Sequence, residues 1–548
     1  MLKIDNLSIA LPAGADRPLA VNNVSFELAP GRTLCLVGES GSGKSVTGCA
    51  IAGLLPKFLR QSIKGSIRLG EIELTSLNER QWMTVRGREV GMIFQEPMTA
   101  LNPIMPVGRQ ISEVFNAHGI VLSRAEMRDK VHGLLERVGI REPRRIADSY
   151  SFRISGGQRQ RVMIAMAVAL KPRLLIADEP TTALDVTTQA QVLELISDLQ
   201  SETGMAVLFV THDFGIVADI ATDVAVMQHG NLIEIGTSGQ VFEHPAQPYT
   251  RKLLAAVPRL GACRPCAAQR AVPLIEIAGL CKRYAVADGL LKRRQLVALN
   301  EVSFSVCKGE VVSLVGESGS GKSTIARCLT KLTPVNCGTI KLDGVDLFSL
   351  KGAALKHARR RIQIVFQDPY GSLDPRQKAI EAVAAGPIAH GTPRKRALEE
   401  AAELLSLVGL SPNVVERYPH EFSGGQRQRI GIARALAVKP DLLIADEAVS
   451  ALDVTVQAQV LELLADLRDK LGLTMLFITH DLRIAAQVSD RIIVLQNGAI
   501  VEEGPTETIF AGPAQAYTRK LLGTIPGLNA GKHEGVADMP LGAGRLAI

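Results

Sequence analysis

The same glycine-rich octapeptide occurs twice in this chain, and that repeat constrains the fold more than any other feature. Gly-Glu-Ser-Gly-Ser-Gly-Lys-Ser occupies Gly38–Ser45 and again Gly316–Ser323. Each copy follows a short apolar run that predicts a strand, at Thr33–Val37 and Val311–Val315, and each opens a helical pattern. In a strand–loop–helix unit of this kind, glycines let backbone N–H groups wrap phosphate closely, and the helix N-terminus adds positive potential. A single copy could be a chance turn, whereas two copies in the same context predict two nucleotide sites.

The residue types within each loop predict separate tasks. Lys44 and Lys322 are expected to reach the β- and γ-phosphates of ATP, while the hydroxyls of Ser45 and Ser323 are expected to bind Mg²⁺. The nucleotide-binding residues predicted in the two loops are Gly38, Ser40, Gly41, Gly43, Lys44, Ser45, Gly316, Ser318, Gly319, Gly321, Lys322, Ser323 and Thr324.

The repeat also sets the domain organisation of the 548 residues. We expect a first nucleotide-binding domain over residues 1–258, a linker over 259–272, a second domain over 273–528 and a flexible tail over 529–548. Short buried apolar strands alternate with helical patterns in both halves, which indicates a mostly parallel sheet.

Composition excludes several classes of protein. No stretch approaches the roughly 20 consecutive apolar residues of a spanning helix, and the N-terminus has no signal-peptide pattern. We therefore expect a cytosolic chain, and docking on a membrane protein stays open at this point. The net charge of +7 is interpreted as solvated basic faces, of a kind that anionic lipid attracts. Nucleic-acid binding is not expected, because the basic runs lack interleaved aromatic residues.

The eight cysteines are scattered, and those in apolar context, such as Cys35, Cys49 and Cys328, are expected to be small buried hydrophobes outside any disulfide framework. Cys263 and Cys266 form a CxxC between the halves. A metal site usually needs four ligands and no second close pair follows, so a structural or incidental role is expected there.

Paired acids end two buried apolar runs, Asp178-Glu179 and Asp446-Glu447. Asp178 and Asp446 are predicted to hold the Mg²⁺ shell. Glu179 and Glu447 then fall beside the γ-phosphate, where each can orient and polarise the attacking water. The alternative is an ordinary pair of acids at a helix N-terminus.

A second repeated heptapeptide, Ser-Gly-Gly-Gln-Arg-Gln-Arg, begins at Ser155 and at Ser423, just before an apolar helix. Locally the serine is an N-cap and the glycines a turn, but free N–H groups at a helix start also bind anions. Each half is thus expected to own a second γ-phosphate surface. The residues predicted to form these surfaces are Ser155, Gly156, Gly157, Gln158, Ser423, Gly424, Gly425 and Gln426.

With these signatures, residues 1–258 and 273–528 resemble the ABC-type ATPases. Gln95 in Phe-Gln-Glu-Pro and Gln367 in Phe-Gln-Asp-Pro resemble the Q-loops of that family, and His212 and His480 resemble its switch histidines. The resemblance implies an α/β fold of two tandem P-loop NTPase domains, each with a mostly parallel sheet core, an antiparallel β subdomain and a helical subdomain. It also implies catalytic roles for both glutamines and both histidines, and places the glutamines near Mg²⁺.

The resemblance further implies a head-to-tail sandwich, in which the phosphate loop of one half and the signature of the other grip one ATP. The family usually stacks an aromatic residue on adenine. Tyr284 fits that position in the second half, whereas its counterpart is Leu11, so weaker binding is predicted at the Lys44 site. Both halves keep their glutamate, histidine and signature, so hydrolysis is predicted at both.

Segments outside the catalytic motifs resemble one subfamily, the oligopeptide and dipeptide importers. Met98–Pro103 and Pro369–Pro375 resemble stretches of their two ATPases, and both halves end in a similar Tyr-Thr-Arg-Lys-Leu-Leu sequence. The fused arrangement is similar to the ATPase of glutathione importers. It implies two membrane permease subunits, an extracytoplasmic binding protein and a peripheral position on the cytoplasmic face of the bacterial inner membrane.

Two other interpretations remain open from the sequence. A soluble twin-cassette ATPase acting on ribosomes or DNA is disfavoured, because the linker is short and no zinc modules are inserted. A nickel importer of the same subfamily is not separated from a peptide importer by these residues.

Overall fold

The computed structural model describes residues 2–12, 14–15, 17–181, 184–258, 272–288, 292–450 and 452–527. These residues form two compact units, the first built mainly from residues 2–257 and the second mainly from residues 272–525. The CxxC of Cys263 and Cys266, most of the expected linker and the expected tail lie outside the described residues.

The first unit contains two sheets. Its strands are β1 (Leu2–Ala10), β2 (Leu19–Leu28), β3 (Thr33–Val37), β4 (Lys64–Leu69), β5 (Ile72–Glu73), β6 (Val90–Ile93), β7 (Leu174–Asp178), β8 (Ala206–Val210), β9 (Asp223–Gln228) and β10 (Asn231–Thr237). A six-stranded sheet has the order β10-β9-β3-β8-β7-β6, and a four-stranded sheet has the order β2-β1-β4-β5. The larger sheet is parallel except for the β9–β10 pair, and the smaller sheet is antiparallel.

Helices cover the larger sheet and form a separate group between β6 and β7. They are α1 (Lys44–Ile51), α2 (Lys57–Arg60), α3 (Glu79–Val85), α4 (Pro97–Ala100), α5 (Val107–Ala117), α6 (Arg124–Arg137), α7 (Pro143–Ala147), α8 (Gly156–Val168), α9 (Val186–Thr203), α10 (Phe214–Ile220), α11 (Ser238–Glu243) and α12 (Pro248–Ala255), with 3-10 turns at Leu74–Ser76 and Ser151–Arg153.

The strand β3 shows why the larger sheet is buried on both faces. All five of its residues are buried, and alternate side chains point to opposite sides. Cys35 and Val37 pack with the helices, whereas Leu34 and Leu36 pack with the antiparallel sheet. A run of apolar residues without polar alternation is the pattern that such double burial requires.

The second unit repeats this plan. Its strands are β11 (Pro273–Asp288), β12 (Lys292–Cys307), β13 (Val311–Val315), β14 (Cys337–Leu342), β15 (Val345–Asp346), β16 (Ile362–Val365), β17 (Leu442–Asp446), β18 (Thr474–Ile478), β19 (Arg491–Gln496) and β20 (Ala499–Pro505). Its helices are α13 (Lys322–Leu329), α14 (Gly352–Arg361), α15 (Pro369–Ser372), α16 (Ala379–Ala389), α17 (Arg394–Leu407), α18 (Gly424–Leu436), α19 (Val454–Leu471), α20 (Leu482–Val488), α21 (Thr506–Ala511) and α22 (Ala516–Gly523), with 3-10 turns at Leu347–Ser349, Pro412–Val414 and Pro419–Glu421. The sheet orders are β16-β17-β18-β13-β19-β20 and β12-β11-β14-β15.

Three adjacent parallel strands bring the predicted chemistry to one edge in each unit. In the first unit β3 pairs with β8 and β8 pairs with β7, all parallel, so their carboxyl ends meet. The phosphate loop follows β3, Glu179 follows β7 and His212 follows β8. The carboxyl edge of a parallel sheet is the usual ligand site of such folds. The predicted fold class, a mostly parallel core with an antiparallel β part and a helical part in each half, is confirmed.

Within the described part of the chain, no helix combines the length and the apolar character needed to cross a bilayer.

Candidate active site

The phosphate loop of the first unit turns tightly because two of its glycines adopt backbone conformations that other residues rarely reach. Gly38 has φ 145° and Gly43, the N-cap of α1, has φ 104°. A Cβ atom on Gly38 would collide with the carbonyl oxygen of Met227, and one on Gly43 would collide with that of Ala20. The second unit repeats the conformations and the crowding at Gly316 and Gly321. Only glycine therefore fits at these turns.

The lysine of each loop is held inside it. Lys44 Nζ donates to the carbonyl oxygens of Gly38 at 2.7 Å and Glu39 at 2.9 Å. Lys322 Nζ makes the equivalent bonds to Gly316 at 2.7 Å and Glu317 at 2.8 Å. Both lysines are buried, and burial lowers the pKa of Lys322 below its ordinary value. A buried ammonium group enclosed by loop carbonyls can move onto an anionic ligand that enters the same loop.

Exposure separates the loop residues into three sets. The outer positions Ser40, Gly41, Ser318 and Gly319 are exposed, the turn glycines Gly38, Gly43, Gly316 and Gly321 are buried, and Ser45, Ser323 and Thr324 are half-buried at the helix starts.

A hydroxyl and a buried carboxylate meet directly beneath each loop. Ser45 Oγ donates to Asp178 Oδ1 at 2.9 Å, and Ser323 Oγ donates to Asp446 Oδ1 at 2.9 Å. Burial raises the pKa of both aspartates, against the effect of the serine bonds. A buried carboxylate with a hydroxyl beside it suits a hard cation.

No group of three or more His, Cys, Asp or Glu side chains that could hold a metal by themselves is found among the described residues. Magnesium usually takes only one or two protein carboxylates and completes its shell with water and substrate phosphates. The Ser45–Asp178 and Ser323–Asp446 pairs therefore fit a nucleotide-bound Mg²⁺.

Glutamate, glutamine and histidine converge in the first unit. Gln95 Nε2 donates to Glu179 Oε2 at 2.8 Å, and His212 Nδ1 lies 3.0 Å from Glu179 Oε1. These residues come from three segments that follow β6, β7 and β8. The structure thus brings together the three predicted catalytic side chains. Gln95 donates to Glu179, and its expected place near Mg²⁺ stays a prediction.

The second unit contains the same constellation. Gln367 Nε2 donates to Glu447 Oε2 at 2.7 Å, and His480 Nδ1 lies 3.5 Å from Glu447 Oε1. The histidine–glutamate distance is the main difference between the two constellations.

Both glutamates adopt a left-handed backbone conformation, which the sequence did not predict. The φ angle is 46° at Glu179 and 49° at Glu447. The backbone N–H of each donates to a carbonyl of the adjacent strand, Val210 or Ile478, at 2.9 Å. A non-glycine residue in this region costs about 1–3 kcal/mol, and such residues cluster at functional sites. The conformation turns each glutamate out of its strand toward the glutamine and the histidine.

The histidine–glutamate contacts shift pKa values in the direction of an ion pair. Burial alone would lower the pKa of His212 and His480, but the hydrogen bond and charge of the neighbouring glutamate outweigh it and raise the pKa above 6.5. Burial would likewise raise the pKa of Glu447, but His480 and the Lys322 charge hold it below its ordinary value. Each histidine is therefore more readily protonated than an exposed one.

The second repeated heptapeptide forms capped helix starts. Ser155 Oγ accepts from the backbone of Gln158 at 3.2 Å, and the Gln158 side chain accepts from Ser155 N–H at 3.0 Å. Ser423 and Gln426 form the same capping box. The glycines Gly156, Gly157, Gly424 and Gly425 open α8 and α18.

The adenine-stacking positions differ between the units. Tyr284 is half-buried, has the ammonium group of Lys282 4.9 Å from its ring centre, and lines a cavity of about 470 Å³. Leu11 is partly buried against the apolar core of the first unit. An aromatic face is therefore available at Tyr284 in the second unit and absent at Leu11 in the first.

Two tyrosines that the sequence analysis did not assign contact the phosphate loops. Tyr249 Oη accepts from Glu39 N–H at 3.4 Å, and Tyr517 Oη accepts from Glu317 N–H at 3.3 Å. Both tyrosines belong to the repeated Tyr-Thr-Arg-Lys-Leu-Leu ending, whose resemblance to one subfamily does not by itself assign them a contact. The repetition of that ending in both halves is the sequence signal that could have identified these two tyrosines.

The expectation that the cysteines form no disulfide is wrong in the second unit. Cys281 on β11 and Cys337 on β14 are disulfide-bonded, with Cα atoms 5.0 Å apart. The reason is register, because these two residues face each other across the antiparallel β11–β14 pair. Cys35 and Cys328 are buried free thiols, as their apolar context predicted, whereas Cys49 is a free thiol that is only half-buried.

Comparison with known sequences fits this geometry. A family profile described as ABC transporter matches residues 21–182 and 299–450. A second profile, described as the C-terminal region of oligopeptide/dipeptide transporters, matches residues 233–278 and 501–543.

Curated relatives match over nearly the whole chain. The glutathione import ATP-binding proteins GsiA of Pectobacterium atrosepticum and of Escherichia coli K12 are each 46% identical to it, over 96% of this chain and 89% of the relative. The chain belongs to the ABC transporter family. It is a two-cassette ATPase of that family, so the expected membership is confirmed. Among solved structures, the ATP-binding cassette MJ0796 with ADP and phosphate matches 42% of this chain and 98% of its own, at 31% identity and a TM-score of 0.39.

Proposed function

We propose that this ABC ATPase energises the uptake of peptides of the di- or oligopeptide type, including glutathione-like peptides, through separate membrane permease subunits. The observation that carries the proposal is the joint match to full-length glutathione import ATPases and to the oligopeptide-transporter C-terminal region in both halves. A transporter of this kind also uses an extracytoplasmic binding protein. The chain would act on the cytoplasmic face of the bacterial inner membrane.

We assign residues 1–258 and 273–528 to the two cassettes, joined by 259–272 and followed by a tail over 529–548. In the proposed cycle each ATP is gripped by the phosphate loop of one cassette and the signature of the other, so ATP binding closes the pair and hydrolysis releases it. The capped starts of α8 and α18 support this proposal, because Ser155 and Ser423 are exposed there and the first N–H groups of a helix can bind an anion.

Within each site, Glu179 or Glu447 orients and polarises the attacking water, since its carboxylate lies at the carboxyl edge beside the phosphate loop. His212 and His480 hold the glutamate carboxylate and, with their raised pKa, offer a positive charge to the γ-phosphate. Ser45 with Asp178, and Ser323 with Asp446, would hold Mg²⁺, which supplies neutralisation of phosphate charge.

Gln95 and Gln367 are proposed to couple the sites to transport. Each donates to its glutamate, and each begins the segment that leads into the helices between β6 and β7 or between β16 and β17. In the family the permease subunits dock on that segment. A shift there would therefore move the glutamine and, through it, the catalytic carboxylate.

The proposal is tested by reconstituting the chain with the membrane proteins that co-purify with it from detergent-solubilised membranes. ATP-dependent uptake of labelled glutathione or a labelled dipeptide into proteoliposomes is the expected result, and the E179Q/E447Q variant is the inactive control. Co-purification with ribosomes, or uptake of nickel without peptide, would overturn the assignment to peptide import while leaving the ATPase assignment intact.

A further inference from the structure

A basic cleft lies between α5, α6 and α7 in the first cassette, away from the catalytic residues. Its volume is about 870 Å³, and its lining includes Arg109 on α5, Arg124 and Arg128 on α6, and Arg144 on α7. Arg124 and Arg128 are one helical turn apart, so both face the same side of α6. The volume lies within the range of small-molecule pockets. We refer to these four residues as the arginine cleft.

The arginine cleft has positive charge that the protein does not neutralise. All four arginines are exposed, and among the described residues none of their guanidinium groups has an ion-pair partner. Two carboxylates, Asp129 and Asp148, line the same cleft, so four positive groups face two negative ones.

Arginines just outside the cleft behave differently. Arg145 on α7 pairs with Glu142 at 2.6 Å, and Arg137 at the end of α6 pairs with Glu202. The absence of ion-pair partners therefore does not describe every arginine on these helices.

The second cassette offers a matched comparison, because α16 and α17 have the same lengths as α5 and α6. The position of Arg109 is occupied there by Glu381, and that of Arg128 by Leu398. Arg394, at the position of Arg124, pairs with Glu381 at 2.9 Å. The second cassette thus neutralises internally the charge that the first leaves open.

We propose that the arginine cleft is a binding site for an anion with clustered phosphate groups, distinct from both ATP sites. Guanidinium forks match phosphate oxygens in a bidentate geometry. A ligand small enough for this volume must carry several negative charges to use four arginines, and adjoining phosphoryl groups provide them compactly. The same chemistry is offered by a free oligophosphate and by the headgroups of an anionic membrane surface.

The test uses the full chain with both phosphate-loop lysines replaced, K44A/K322A, so that inorganic triphosphate has little affinity for the ATP sites. Calorimetric titration with triphosphate is expected to show one site. The variant R109E/R128L, which copies the residues of the second cassette, is expected to weaken binding by at least about tenfold through lost charge-assisted hydrogen bonds. Arg80→Leu, an exposed arginine outside the cleft, is the control and is expected to bind as the parent does.

A second arm uses vesicles of phosphatidylcholine with and without phosphatidylglycerol. If triphosphate binds in solution and R109E/R128L weakens that binding, the ligand is a free oligophosphate. If the chain binds only to the vesicles with phosphatidylglycerol and R109E/R128L weakens that binding, the ligand is a lipid headgroup. Binding in neither arm, or binding that R109E/R128L leaves unchanged, overturns the proposal. If K44A/K322A does not fold, the wild-type chain is titrated, and R109E/R128L must remove one binding event of those observed.

Discussion

The two cassettes repeat their catalytic contacts closely and differ in what surrounds them. The serine–aspartate bond is 2.9 Å in both, and the glutamine–glutamate bond is 2.8 Å in the first and 2.7 Å in the second. Around these sites the second cassette has Tyr284 and a disulfide, whereas the first has Leu11 and an open basic cleft. The contacts proposed to carry out hydrolysis are thus duplicated, while nucleotide affinity, stability and accessory binding are expected to be specialised.

The comparison is tested most strongly by replacing the catalytic glutamates. E179Q/E447Q keeps the shape of both side chains but removes the base, so ATP turnover should fall by about 10²–10⁴-fold and ATP should be retained. Each single variant should also slow turnover, measured as phosphate release at saturating ATP. Glu71→Gln, on the exposed surface, is the control. A single variant with unchanged turnover would remove that glutamate from the mechanism and break the equivalence of the two sites.

The disulfide should stabilise only the second cassette. It joins residues 56 positions apart, so C281S/C337S is expected to cost about 2–4 kcal/mol of unfolding free energy there. Ser8 and Lys64 face each other at the matching register of the first cassette, which provides the internal control. Hydrogen exchange read separately for peptides of each cassette measures the effect. An equal change in both cassettes, or none in the second, would contradict it.

Adenine stacking should make the two ATP affinities unequal. Y284L is expected to weaken ATP binding at the Lys322 site by roughly tenfold, since base–aromatic stacking contributes about 1–3 kcal/mol. L11Y should strengthen the Lys44 site. Each site is measured alone by fluorescence titration, with the lysine of the other site replaced by alanine. Equal affinities of the two unmodified sites would argue against this difference.

The histidine–glutamate pairs should contribute pH-dependent stability of about 1 kcal/mol each. The pKa of His480 is raised, so its contribution is fully present below the unfolded value near 6.5 and is lost as pH rises through the folded value. The pKa of Glu447 is lowered, so the stability that Glu447 contributes is present above its unfolded pKa of 4.5 and is lost as pH falls through the folded pKa. The stability difference between wild type and His480→Gln, without nucleotide, should therefore peak between these values. A difference that rises steadily above pH 6.5 would exclude the ion pair.

The smallest expected effect is at the loop-contacting tyrosines. Y249F and Y517F keep the ring and remove one long, neutral hydrogen-bond acceptor, so KM for ATP should rise by no more than about threefold. Burial raises the pKa of Tyr517 to about 12, so its phenol is neutral at the working pH. Steady-state kinetics of the two variants measure this effect. A larger loss in only one variant would reveal a further asymmetry between the loops.

The sequence predicted the site better than its surroundings, for identifiable reasons. The runs Thr33–Val37 and Val311–Val315 matched strands because double burial makes them almost continuously apolar. The left-handed backbone of Glu179 depends on where the neighbouring strand lies, which no local pattern encodes. The Cys281–Cys337 pairing depends on the register of strands far apart in the chain, so scattered cysteines could not reveal it.

The central claim, that each ATP is held by the loop of one cassette and the signature of the other, has a direct crossed test. In an E179Q/E447Q/K322A background, only the Lys44 site can retain labelled ATP through rapid gel filtration. Ser423→Arg should abolish that retention, whereas Ser155→Arg should leave it. Loss with Ser155→Arg and retention with Ser423→Arg would contradict the account.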